Sequence, residues 1–208
     1  MKIKKSLFLS SNSSYLDCPN LNNFEIALIG RSNVGKSSFI NFILNKKIAK
    51  VSQTAGKTKL INFFLINDNW YLVDLPGYGW SKNIKYDKFK WKKIINNYIL
   101  HRKNLSFLCV LIDLSISIQK VDISFLNWLG INKIPFIIIF SKSDKLSKSR
   151  LLYNINNFIS LLVKYWSKIP KFFITSIYKK IGKKVFLQYV KFIFINKKIN
   201  LLCGDERI

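Results

Sequence analysis

Apolar runs of strand length recur along the chain at about 24–30, 60–66, 70–74, 105–113, 135–140 and 171–175. Between most of them the apolar positions fall at helical spacing, at about 36–45, 86–102, 119–130, 147–166 and 179–195. This alternation predicts an α/β fold: a doubly wound, mostly parallel six-stranded sheet with helices on both faces. No helix fits between 60–66 and 70–74. The polar Asn67-Asp-Asn69 joining them predicts a hairpin, and with it one antiparallel edge strand. Residues 1–20 read as an extended lead-in, 21–195 as one domain and 196–208 as a loose tail. No internal repeat or linker rich in Pro, Gly or Ser divides the chain. Sheets of this kind bind ligands at the carboxyl ends of their strands, and the motifs fall there.

The first strand runs into Gly30-Arg-Ser-Asn-Val-Gly-Lys-Ser37, which has the form G-x-x-x-x-G-K-S. Gly30 and Gly35 let backbone amides close on phosphate oxygens without an intervening Cβ. Arg31, Ser32, Asn33 and Val34 fill the loop, Lys36 brings a compact positive charge, and the Ser37 hydroxyl is placed to ligate magnesium. Ser38 opens a helix whose N-terminus faces the anion. The strand at 70–74 ends in Asp74, followed by Leu75, Pro76 and Gly77. The carboxylate can hold magnesium through water, and the Gly77 amide can reach a γ-phosphate and move when it leaves. Ser141, Lys142, Ser143 and Asp144 follow the most apolar strand. The Asp144 carboxylate would pair with guanine N1 and N2, donors that adenine lacks, while Lys142 would brace the phosphate loop. Two softer elements complete the set. Thr58, within Gly56, Lys57, Thr58, Lys59 and Leu60, is placed to give magnesium a second hydroxyl, and Ile174, Thr175 and Ser176 could offer a backbone amide to guanine O6. Lys36, Thr58 and Gly77 are the candidate catalytic residues.

Together these residues resemble the EngB (YihA/YsxC) family of bacterial ribosome-assembly GTPases, within the TRAFAC class of P-loop GTPases. The resemblance runs from about residue 5 to 195. It rests on Gly30–Ser38, Gly56-Lys-Thr58, Asp74-Leu-Pro-Gly-Tyr-Gly79, Ser141–Asp144, and Thr175-Ser176 followed by Lys179-Lys-Ile-Gly182. It implies a G domain, GTP and GDP with magnesium as ligands, maturation of the large ribosomal subunit, and the family's association with cell division and septation. Three positions depart from the family pattern. Ala55 stands where Pro is usual, Ser141 where Thr or Asn is usual, and Leu114-Ser-Ile-Ser-Ile118 lacks an Arg common after Asp113.

Ras-type GTPases place a Gln directly after the switch glycine to orient the attacking water. Here that position is Tyr78, so slow intrinsic hydrolysis is expected, with help from outside. In related GTPases an Asn at the position of Asn33 helps hold a potassium ion against the phosphates, and Asn33 is a candidate for the same role. It equally suits a tight turn.

The formal charge is +25, from 35 Lys and Arg against 10 Asp and Glu. This points to an anionic partner. Only four of the basic residues are Arg, and the chain is crowded with Ile, Asn and Phe, a drift that an AT-rich genome would also impose. No base-reading RNA motif is visible, so contact with a pre-ribosomal large subunit and its ribosomal RNA would be through charge and shape. Cys18, Cys109 and Cys203 form neither a disulfide framework nor a metal pattern, which suits a reducing cytoplasm. Leu7-Phe-Leu9 is too short for a signal peptide, no run is long enough for a membrane span, and nothing demands a dimer. His101 sits near a helix end, away from the motifs. Trp91, Trp128 and Trp166 lie in helical stretches as packing anchors. Two rival readings remain: a basic RNA-binding assembly factor with a decayed nucleotide site, and an ATPase on the same fold.

Overall fold

The structure, a computed structural model, describes residues 1–19, 23–50, 60–78 and 87–202, side chains excepted at 87–91 and 197–202. The strands are β1 (Ser6–Asn12), β2 (Phe24–Gly30), β3 (Ile61–Ile66), β4 (Trp70–Asp74), β5 (Leu105–Asp113), β6 (Phe136–Ser141) and β7 (Phe172–Ile174). The helices are α1 (Lys36–Leu44), α2 (Asp87–His101), α3 (Lys120–Ile131), α4 (Lys148–Leu162) and α5 (Lys183–Leu202). One sheet runs in the order β1-β3-β4-β2-β5-β6-β7. Alternate residues of each strand serve opposite faces. Ala27, Ile29, Leu108, Val110, Ile138 and Phe140 pack with α2, α3 and α4. Ile26, Leu28, Phe107, Cys109, Ile137 and Ile139 pack under α1 and α5. Both faces are thereby covered, which is why the parallel strands read as unbroken apolar runs.

The six-stranded expectation is corrected to seven, and the expected edge strand is not at the edge. β1, from the lead-in, pairs antiparallel with β3, and β3 pairs antiparallel with β4. Thus β3 alone runs against the others and lies one place inside. The β3–β4 turn explains why the lead-in docks. Asn67 and Asp68 both adopt left-handed backbone, at φ 50° and 51°. Asn67 then accepts from the Lys4 and Lys5 amides at 2.8 and 3.0 Å and donates to the Lys2 carbonyl at 2.9 Å. A short polar side chain tolerates this conformation and satisfies strand-like backbone. At the other terminus α5 runs on to Leu202, into the expected tail. It begins later than expected, because Gly182 at φ 90° and the Ser176–Ile181 bridge turn the chain first. α4 ends at Leu162, where the Tyr165 and Trp166 amides close on the Leu162 carbonyl. Trp166 then fills the notch left by Gly130, where a Cβ would stand 2.4 Å from the indole. It donates to Asn127 at 2.8 Å, a packing anchor as expected. Trp128 lies against Phe125, and the Trp91 side chain falls outside the described residues.

Candidate functional site

The carboxyl ends of β2, β4, β5, β6 and β7 meet along one rim of the sheet. Gly30 ends β2 where there is no space for a side chain: a Cβ would lie 2.7 Å from the Leu111 carbonyl oxygen and 2.8 Å from Val34. Gly35 caps α1 at φ 98°, open to its surroundings, and Asn33 takes φ 64°. The loop thus turns sharply just before the start of α1, with the Val34 amide closing on the Arg31 carbonyl at 3.5 Å. Lys36 Nζ lies 3.2 Å from Asp74 Oδ1. Ser37 Oγ donates to Asp74 Oδ2 at 3.3 Å. Asp74 Oδ1 is buried and makes no hydrogen bond, so its contact with Lys36 is one of charge. A serine oxygen beside a partly unsatisfied carboxylate suits a hard divalent cation that takes its remaining ligands from phosphate and water. Leu75 is fully buried and its amide is bonded to the Leu28 carbonyl at 3.0 Å. With buried Pro76 it anchors the strand exit beneath the site. Gly77 lies directly on the phosphate loop: a Cβ there would be 2.8 Å from the Gly30 oxygen and 3.4 Å from the Ser32 nitrogen.

The β6 exit is bonded to the same loop. Ser141 is buried, and its hydroxyl donates to the Val34 carbonyl at 2.8 Å. Lys142, held at φ 58°, donates to the Asn33 carbonyl at 2.7 Å and to Asp113 Oδ2 at 2.6 Å. Lys142 therefore does brace the loop. Asp113, at the end of β5, was not among the predicted site residues. It also accepts from the Ser115 amide and hydroxyl at 2.9 and 2.6 Å. Burial works to raise the Asp113 carboxyl, but the bonds from Lys142 and Ser115 outweigh it and hold the group below the usual carboxylate range. Ser143 is buried and donates its amide to the Thr175 carbonyl at 3.2 Å. Asp144 is half-buried, and Ser176 Oγ donates to its Oδ1 at 2.5 Å.

The expected amide donor at Ile174-Thr175-Ser176 is not found at Thr175 or Ser176. The Thr175 amide is bonded to the Phe140 carbonyl at 2.7 Å and the Ser176 amide to the Ile181 carbonyl at 3.3 Å. Sheet pairing between β6 and β7 and the turn into α5 consume both. What this segment brings to the site is the Ser176 hydroxyl that orients Asp144. Leu60 is described and partly exposed. Ala55, Gly56, Lys57, Thr58, Lys59 and Gly79 lie outside the described residues.

A profile of the family described as 50S ribosome-binding GTPase matches residues 25–142. The chain is 50% identical over 191 residues to a Probable GTP-binding protein EngB of Porphyromonas gingivalis, covering 91% of this chain and 95% of that one. A protein of the same name from Bacteroides fragilis is 46% identical over 201 residues, covering 96% and 99%. The chain belongs to the EngB family. The fold agrees: a solved structure of a probable GTP-binding protein engB superposes with a TM-score of 0.62 at 24% identity, covering 83% of this chain and 97% of that chain.

One further cluster in this EngB-family chain escaped sequence reasoning. Asp122, on the first turn of α3, is 1% exposed. Both its oxygens accept from Arg31 Nε, at 2.9 and 3.1 Å, and its Oδ1 accepts from the Tyr78 hydroxyl at 2.9 Å. Burial raises the Asp122 carboxyl and, with the adjacent carboxylate, pushes the Tyr78 phenol well up. The Tyr78 ring stacks on Phe125 with centroids 4.2 Å apart. Asp122 carried no motif. Its one signal was a carboxylate on the apolar side of a helix, which burial makes costly unless it is paired.

Proposed function

We propose that this chain is a guanine-nucleotide switch that hydrolyses GTP and serves assembly of the large ribosomal subunit. The observation that carries the reading is the bonded frame between two loops. Lys142 and Ser141 grip the carbonyls of Asn33 and Val34, while Ser176 presents the neighbouring Asp144. A site built this way reads a base and its phosphates together. Asp144 accepts from guanine N1 and N2. The loop amides, Lys36 and Ser37 hold the phosphates, and Thr58 with Gly77 senses the γ-phosphate. Ser37 and Asp74 are the residues that would hold magnesium, which would supply positive charge against the phosphates. Water attacks the γ-phosphorus in line, the bond to the β–γ bridging oxygen breaks, and GDP and phosphate leave. Tyr78 offers no carboxamide to the water, so intrinsic turnover is slow. A potassium ion near Asn33 is the proposed accelerator, and equal turnover in potassium and sodium buffers would remove it.

The family profile's description supports the ribosomal partner. So do the exposed Lys145, Lys148, Lys179 and Lys180 beside the base loop. We read the protein as a cytoplasmic monomer that shares the family's association with division and septation. Among the described residues no helix is long and apolar enough to cross a membrane. The test is titration with fluorescent GDP and a non-hydrolysable GTP analogue, with ATP as competitor. Saturable guanine binding that ATP does not displace is expected. No binding at millimolar nucleotide would leave the basic RNA-binding reading in its place.

A further inference from the structure

We infer that Tyr178, with Lys179 and Lys180, is a contact point for an unpaired RNA nucleotide: the ring stacks on the base and the lysines meet the flanking phosphates. This deepens the ribosomal-RNA reading above and rests on it. Residues 177–180 form a turn between β7 and α5, closed by an antiparallel bridge between Ser176 and Ile181. The Ile181 amide donates to the Ser176 carbonyl at 2.9 Å, and the Lys180 amide to the Ile177 carbonyl at 3.3 Å. Lys180 takes left-handed backbone at φ 52°, and the Lys179 amide donates to Ser176 Oγ at 3.0 Å. Ile177 packs on the core beneath α1 and α5 and anchors the turn. Tyr178, the next residue, is 86% exposed, more than any other large apolar side chain among the described residues. A held backbone thus presents a stiff ring to solvent, which a ligand can use at little entropic cost.

A single exposed aromatic is ordinary by itself; its surroundings give this one a partner. Lys179 and Lys180 follow it directly, and both are exposed. The Ser176 hydroxyl that holds the Lys179 amide also donates to Asp144 Oδ1 at 2.5 Å. The exposed Lys145 and Lys148 that follow Asp144 therefore belong to the same stretch of surface. No acidic residue occurs from Ser176 to Lys184. A protein partner held by apolar burial would need a contiguous apolar patch, whereas the residues that follow Tyr178 in this turn are lysines. A nucleotide needs one aromatic face and nearby cations. In duplex RNA the base faces are covered by their neighbours, so the ligand is a single strand, loop or bulge. Stacking accepts every base, which agrees with a chain that carries no base-reading motif.

The experiment measures binding of a labelled single-stranded RNA of mixed sequence, about ten nucleotides long, by fluorescence anisotropy at several salt concentrations. The full chain is compared with Tyr178→Ala, Tyr178→Phe and a double variant carrying Lys179→Ala and Lys180→Ala. Tyr178→Ala should weaken binding by roughly five- to a hundredfold and leave the salt slope as it is, because the ring carries no charge. Tyr178→Phe keeps the stack and should bind within about twofold of the wild type. The lysine pair should lower the slope of log affinity against log salt by about 1.4. GDP affinity of Tyr178→Ala should match the wild type, which shows that Ser176 and Asp144 are undisturbed. Wild-type RNA affinity in Tyr178→Ala would overturn the inference, as would a loss in Tyr178→Phe as large as in Tyr178→Ala. A loss of the same size on a blunt RNA duplex, or on a polyglutamate peptide, would assign the turn to a different partner and overturn it too. Absence of RNA binding by the wild type at about 50 mM salt would overturn the ribosomal-RNA reading itself, and the inference with it.

Discussion

Asp144 and Lys142 are two positions apart and act in opposite directions. In the proposed site Asp144 faces the base, so Asp144→Asn should exchange guanine for xanthine preference, because the new carboxamide can donate where the carboxylate accepted. Competition between the two nucleotides on the variant is the measurement, and unchanged preference would deny the base assignment. Lys142 faces inward to Asp113, and its effect is visible in pH dependence. A carboxyl whose folded value is lowered adds stability that is present in full above its unfolded value, about 3.9, and is lost as pH falls through the folded value. Lys142→Ala removes a bond that lowers Asp113. The wild type should therefore lose more stability than the variant between neutral pH and about pH 3. Urea melts at both pH values check this, and equal losses would contradict it.

Packed elements depend on polar pairs at the far end of the sheet as much as on apolar area. Arg102, just past α2, donates to Glu25 of β2 through Nε and Nη2 and reaches the Pro19 carbonyl. Tyr98 adds a hydroxyl to Glu25 at 2.6 Å. Glu25 is fully buried, so Arg102→Ala would leave an uncompensated carboxylate. The expected cost is about 3–5 kcal/mol, read from urea denaturation at neutral pH. Lys183 ties the two helices of the other face: its Nζ donates to the Phe42 carbonyl and to Asn45, both at 2.6 Å. This satisfies the end of α1 from the start of α5. The central strands were legible because both their faces are apolar. β1 was not, because Ser6-Leu-Phe-Leu-Ser-Ser-Asn12 neither alternates nor forms a buried run: Leu7, Phe8 and Leu9 are all exposed. It is a strand because β3 offered an unpaired edge and Asn67 held its approach.

Across the whole molecule charge is in large excess. If every acidic residue paired with a basic one, 25 positive charges would remain. The proposed binding to ribosomal RNA should therefore fall steeply with salt, by roughly 10³-fold between about 50 and 200 mM if six or more phosphates are contacted. Co-sedimentation with large-subunit particles at rising salt measures the slope. A flat response would assign the excess charge to composition drift and not to RNA contact.

The sequence by itself determined the alternation of strands and helices, the rim on which the motifs gather, and the residue types proposed to meet phosphate and base. Those signals are local: a strand, a glycine-bearing loop and a helix are adjacent in the chain, and periodicity reports burial directly. Only the tertiary structure decided which residues link one motif to another. Lys142 meets Asp113, Ser176 meets Asp144, and Asp122 meets Arg31 and Tyr78 across 29 to 91 positions of sequence. No spacing rule announces such contacts. They arise because the sheet order places those strand ends side by side, and because a buried charge must find its partner wherever the fold has left one.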